Sequence, residues 1–112
     1  MKTTKQDFEL FKKECDRWLV KLNLDDLEIN YYHDDPWSDN ADASVSVDYK
    51  YRRADIRFSV NRIPEDIKML AKHEVLHLLV GEMKDLAQDR YVIQDEIVKA
   101  DERLIRKLEK LL

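Results

Sequence analysis

His73, Glu74 and His77 stand in the run His73-Glu74-Val75-Leu76-His77, the pattern HExxH. Histidines four positions apart share one face of a helix, with Cβ atoms roughly 5–6 Å apart, a spacing at which both imidazoles reach one zinc ion. Glu74 lies beside that face rather than on it. A carboxylate there is positioned to take a proton from water held at a metal, and so to act as general base instead of ligand. The three residues therefore predict the centre of a zinc hydrolase. Catalytic zinc takes three protein ligands and keeps a fourth position for water, so one further donor must come from elsewhere in the chain.

Such a pair works only if a helix carries it. Pro64-Glu65-Asp66 predicts a helix start, with proline in the first turn and acids near the positive end of the dipole, and Gly81 predicts its end. Met69, Leu70, Leu76 and Val80 fall on the face of His73 and His77, while Ile67, Ala71, Val75, Leu78 and Leu79 fall opposite. A helix apolar on two faces is expected between layers, with the histidines in an interior cleft. Before it, Phe8, Phe11, Cys15, Trp18, Leu19 and Leu22 recur at helical steps behind a Thr4/Asp7 capping pair, predicting an amphipathic helix over about 4–22. Alternation at Leu27–Tyr32, Ala43–Tyr49 and Ala54–Val60 predicts three strands. The acidic run 34–40 reads as a loop, and Lys50–Arg53 as a tight hairpin without glycine. Residues 82–91 read as a short helix or loop. Ile97, Val98, Leu104, Ile105, Leu108, Leu111 and Leu112 predict a closing amphipathic helix from about 94. The expected class is α+β: an N-terminal helix, a three-stranded sheet, a central HExxH helix and a C-terminal closing helix, in one domain spanning 1–112.

With 112 residues, 44% hydrophobic and 39% charged, the chain can bury one modest core but not two. The net charge of −4 and the absence of a basic stripe argue against nucleic-acid binding. No run has membrane-spanning length and none reads as a signal peptide. The single cysteine, Cys15, falls on the apolar face of the first helix and reads as a packed free thiol. A soluble, cytoplasmic protein is expected.

A third histidine in the metzincin pattern HExxHxxGxxH is excluded, because Val80 and Met83 occupy its glycine and histidine positions. Acidic candidates follow on the last helix: Glu96, Asp101 and Glu102. Here the chain resembles the gluzincin branch of the zincin metallopeptidases, in which a glutamate on a later helix completes the site. It is similar in particular to the small HExxH peptidases of phages and mobile elements. Within Glu102-Arg103-Leu104-Ile105-Arg106-Lys107-Leu108-Glu109, apolar Ile105, Leu108 and Leu112 follow Glu102 at regular steps. The resemblance thus implies Glu102 as third ligand, followed by Asp101 and then Glu96. It covers about residues 64–112 and the order of the strands, and the pentad is its one specific motif. Many gluzincins carry Asp or Asn four residues after that glutamate, where this chain has Arg106.

The resemblance implies a phage- or prophage-encoded metallopeptidase with one Zn²⁺, in which Glu74 is the general base for hydrolysis of a peptide bond. It also implies a substrate strand paired with an exposed sheet edge beside the metal helix, for which Ala54 to Val60 is the candidate. Protein or peptide is the expected substrate. So small a chain has little room for a specificity domain, so a partner protein or self-association is expected to help select it. Tyr91, Arg90 and His33 are conceivable oxyanion donors, and spacing supports none of them. His33 reads as a surface histidine, Trp18 as core, Trp37 as a loop aromatic, and Lys99, Arg103, Arg106, Lys107 and Lys110 as a solvated helix face. Two alternatives stand beside hydrolysis. One is an inactive zincin-fold metal-binding or regulatory module. The other, ranked lower, is a metal-dependent endoribonuclease, whose HGxxHxxGxDH helix the chain matches poorly because Glu74 replaces the glycine and no third histidine follows.

Overall fold

Thr4 opens the first helix as its sequence predicts. In the computed structural model, which describes residues 2–35, 41–88, 99, 102–104 and 106, helix α1 spans Lys5–Lys21. Thr4 Oγ1 accepts from the Asp7 N–H at 3.1 Å, and the Asp7 carboxylate accepts from the Thr4 N–H at 2.8 Å. This reciprocal cap contributes about 0.5–2 kcal/mol. At the other end Asn23 takes a left-handed conformation (φ 58°), and the Leu24 N–H turns back to the Leu19 carbonyl at 2.8 Å. That closure satisfies a terminal carbonyl and stops the helix.

Three strands follow: β1 (Glu28–His33), β2 (Ala43–Asp48) and β3 (Arg53–Phe58). The β2–β3 hairpin is antiparallel, with Val45 opposite Ile56, and its turn ends on Arg52 at φ 55°. β1 pairs with β3 in parallel, with Tyr31 opposite Ile56, so the sheet order is β1-β3-β2. β3 is therefore the central strand. This corrects the expectation that the third alternating segment is an open edge: both sides of β3 are consumed by pairing, and among the described residues the sheet edges belong to β1 and β2. Alternation gives the sheet two faces. Ala54, Ile56 and Phe58 are buried under the helices, with Ile29, Tyr31, Val45 and Val47 partly buried around them. Glu28, Asn30, Tyr32, Ser46, Asp48 and Arg53 are exposed on the other.

Helix α2 runs from Ile67 to Gln88 and packs against α1 and β2. Pro64 precedes the helix instead of sitting in its first turn. Asp66 is the cap, its Oδ1 accepting from the Met69 N–H at 3.1 Å. Cys15 and Ala71, both fully buried, let the two helices approach closely, the Cys15 Sγ lying 4.0 Å from the Ala71 carbonyl oxygen. Residues 99, 102–104 and 106 are helical, and Leu104 packs on the core. The rest of the predicted closing helix lies outside the described residues, as does Trp37. The architecture is α+β, helices on one face of a three-stranded mixed sheet.

Gly81, predicted to end the central helix, lies inside it, and its φ is not positive. Its role is close approach. The Tyr49 hydroxyl donates to the Leu78 carbonyl at 2.6 Å, and a Cβ on residue 81 would stand 2.4 Å from that hydroxyl oxygen. The only glycine of the chain thus admits a tyrosine that ties the end of β2 to α2. Burial, reinforced by the charges of Glu82 and Asp85, pushes the Tyr49 pKa up to about 12.

Two outcomes follow for denaturation experiments. Gly81→Ala should lower stability by about 1–2 kcal/mol, because the anchored hydroxyl must give way. In a Tyr49→Phe background the same change should become neutral or stabilising by up to about 1 kcal/mol, since alanine is the better helix former. The folded chain holds the Tyr49 proton more tightly than the unfolded chain does. Stability conferred by this group is therefore fully present below pH 10 and is lost as pH rises towards 12, a loss absent from Tyr49→Phe.

Candidate metal centre

α2 presents its two sides very differently. Ala71, Val75, Leu78 and Leu79 are 3% exposed or less and face α1 and the sheet. The helical period then turns His73 and His77 outward, where both are exposed between Met69 (61%) and Val80 (52%). The expected interior cleft is not formed by the described residues. One apolar face of α2 is covered; on the other, Leu70 and Leu76 are partly buried against the core, while Met69, His73, His77 and Val80 are exposed among the described residues.

The histidine side chains nevertheless converge. Their Nε2 atoms lie 3.0 Å apart and the rings meet edge to face, with centroids 4.6 Å apart. Two nitrogens at this separation fit around a single ion with zinc–nitrogen bonds of about 2.0–2.1 Å. A hydrogen bond between two neutral imidazoles has the same length.

Glu74 lies on the flank between the open and covered faces and is only 5% exposed. Desolvation by burial raises its pKa, and the charge of neighbouring His73 opposes the rise. Its field also reaches Cys15 on α1, whose thiol pKa is raised chiefly by burial and further by Asp16, Glu74 and Glu14. A carboxylate in this setting holds a proton more readily than one in water, a property suited to a group that must accept one.

Glu102 does not join the pair. It is helical and exposed and lies 3.5 Å from Arg106. Among the described residues no group of three His, Cys, Asp or Glu side chains is arranged to hold a metal ion. Arg106, the departure from the gluzincin pattern, is thus the residue that engages the predicted ligand. Asp101 and Glu96 lie outside the described residues, as do Tyr91 and Arg90.

His33 is remote in role from the pair and is not a plain surface histidine. It stacks on Phe8 (centroids 4.9 Å apart) and lies 2.7 Å from Thr3 Oγ1. That hydroxyl donates to the Ser59 carbonyl at 2.6 Å, so it must accept from His33, placing a proton on Nε2. His33 is half-buried and fastens the N-terminus to the ends of β1 and β3. Arg103, expected on a solvated face, reaches Glu82 of α2 at 3.2 Å. Sequence reasoning also passed over Asp42, which lines a groove beside His73; its signal was its position at the mouth of the edge strand β2.

Comparison with protein-family models gave no match. Comparisons with curated proteins and with solved structures gave none either.

Burial of Glu74 carries a stability penalty that a structural residue at this position would not. Glu74→Leu should raise the melting temperature of metal-free protein at neutral pH, corresponding to about 1–2 kcal/mol. A decrease would show instead that the carboxylate is a structural anchor.

Proposed function

We propose that the chain is a zinc-dependent peptide hydrolase of zincin-like design, in which His73 and His77 hold the ion and Glu74 is the general base. The carrying observation is the convergence of the two Nε2 atoms to 3.0 Å with a buried carboxylate one residue along. Two imidazoles suit zinc as donors. Zinc, when bound, lowers the pKa of water towards roughly 7 and polarises a carbonyl as a Lewis acid. The protein supplies the rest. Its imidazoles orient the ion, and Glu74 takes the proton of the attacking water and returns it to the departing amine.

The sheet supports the same reading. The edge beside α2 is β2, antiparallel to its neighbour, and its outer side, with no partner strand among the described residues, can pair with an extended segment of substrate. β2 replaces the third strand as the proposed substrate edge. We assign the third donor to the acidic residues of the C-terminal segment, Glu102 first, then Asp101 and Glu96. Ligation by Glu102 requires its carboxylate to leave Arg106.

The competing reading is a module that binds metal without hydrolysis, and it is favoured by the outward exposure of both histidines. One substitution separates the two. Wild-type chain supplied with zinc should cleave members of a synthetic peptide mixture, read by mass spectrometry, and Glu74→Gln should slow cleavage by at least about 100-fold with zinc content unchanged. Hydrolysis that survives in Glu74→Gln would remove the general-base role, and a wild type that binds zinc yet cleaves nothing would leave the binding module.

Metal content by elemental analysis tests the ligands independently. One zinc per chain is expected, lost in His73→Ala and in His77→Ala. Among Glu102→Ala, Asp101→Ala and Glu96→Ala, a single variant should lose it. Loss in none of the three would refute a C-terminal carboxylate ligand.

A further inference from the structure

A groove of about 550 Å³ opens next to His73, between the N-terminal turn of α2 and the approach to β2. Pro64, Met69 and Leu70 supply its apolar surface, and Asp42, Glu65 and Asp66 supply its polar surface. Among the described residues no lysine or arginine lines it. The three carboxylates differ in how far they are already engaged. Asp66 Oδ1 accepts from the Met69 N–H, and Asp42 Oδ1 accepts from Arg62 Nε at 3.1 Å. Glu65 is exposed and has no ion-pair partner among the described residues.

We propose that this groove receives a basic side chain, lysine or arginine, of the protein substrate, and so sets specificity beside the scissile bond. The inference rests on the hydrolase reading for its placement but has a binding readout of its own.

The lining chemistry selects the occupant. Lysine and arginine join an aliphatic stem to a cationic end, and the groove joins an apolar floor to a carboxylate rim. Met69, unbranched and 61% exposed, can adapt to such a stem. A purely apolar occupant would cover the floor while stripping water from the carboxylates without replacing its hydrogen bonds. An acidic occupant would meet the like charges of Glu65 and Asp66, Asp42 being already countered by Arg62. A cation offers a charge-assisted partner to Glu65, which has none among the described residues, and a second one to Asp42 beside Arg62. The location gives the contact its consequence. A segment laid along the β2 edge passes Asp42 on the way to His73, so a side chain held in the groove fixes which peptide bond reaches the histidine pair.

The test uses the full-length Glu74→Gln chain supplied with zinc, which retains bound peptide without turnover. Three fluorescent peptides identical except for arginine, norleucine or glutamate at one position are titrated and followed by anisotropy. The arginine peptide should bind about tenfold more tightly than the norleucine peptide, and the glutamate peptide more weakly than both. Adding Asp42→Asn and Glu65→Gln should erase most of the arginine preference. Glu65→Lys, a single change at an exposed position, should move the preference towards the glutamate peptide. Glu28→Gln, on the outward face of the sheet, alters net charge without touching the groove and should leave the order intact. Equal affinity for arginine and norleucine peptides overturns the proposal. So does a preference that survives the groove substitutions or falls equally with Glu28→Gln. Because binding is read without hydrolysis, absence of peptidase activity in the wild type and absence of basic selectivity here are separate results.

Discussion

The rotational setting of α2 about its own axis governs the rest of the molecule. Ala71, Val75, Leu78 and Leu79 must lie against α1 and the sheet, and full burial of each larger apolar side chain contributes about 1.5–3 kcal/mol. Ala71 adds a steric condition, since only a small residue allows the close contact with Cys15 of α1. Tyr49 adds a polar one by gripping the Leu78 carbonyl across Gly81. With those contacts in place the helical period leaves no choice about the remaining positions. His73 and His77 point away from the core, and Glu74 is caught at the border, its acid group drawn out of water by the same packing.

Local rules were the legible part of the sequence. The Thr4/Asp7 cap, the three alternating segments and the long apolar period of α2 are decided by neighbours within a few residues, and each element occurs, although α2 continues past the expected end at Gly81 through part of the segment 82–91 read as a short helix or loop, to Gln88. The histidine pair was legible for the same reason: four residues of helix bring two side chains together whatever surrounds them. The order of the strands was not, because alternation marks a strand but carries no record of its partner. β3 alternates no differently from an edge strand, yet it is paired on both sides. Gly81 misled because a glycine after an apolar helical run ordinarily marks a terminus, and its actual partner, Tyr49, is distant in sequence. The side of α2 that faces solvent was equally hidden, since both sides carry apolar residues and only tertiary contact discriminates between them.

Charges tie the periphery of the fold together more than their sequence positions suggest. Arg52 reaches Asp26 at 2.6 Å and Glu82 at 3.9 Å, and Glu82 also accepts Arg103 at 3.2 Å. This chain of ions links the segment before β1, the β2–β3 turn, α2 and the C-terminal helical residues. Exposed pairs of this kind contribute little individually, about 0–1 kcal/mol, but Glu82 is largely shielded and joins two cations. The network attaches Arg103 near the C-terminal end of α2, away from the groove, with Leu104 packed on the core beside it.

Cys15 gains a use from its surroundings. Its sulfur is fully enclosed where the two helices touch, and burial holds the thiol in its unreactive protonated form. A thiol-directed reagent can therefore modify the chain only during moments when α1 and α2 separate. The molecule carries an intrinsic reporter of that separation, with labelling kinetics counting the openings of its central seam.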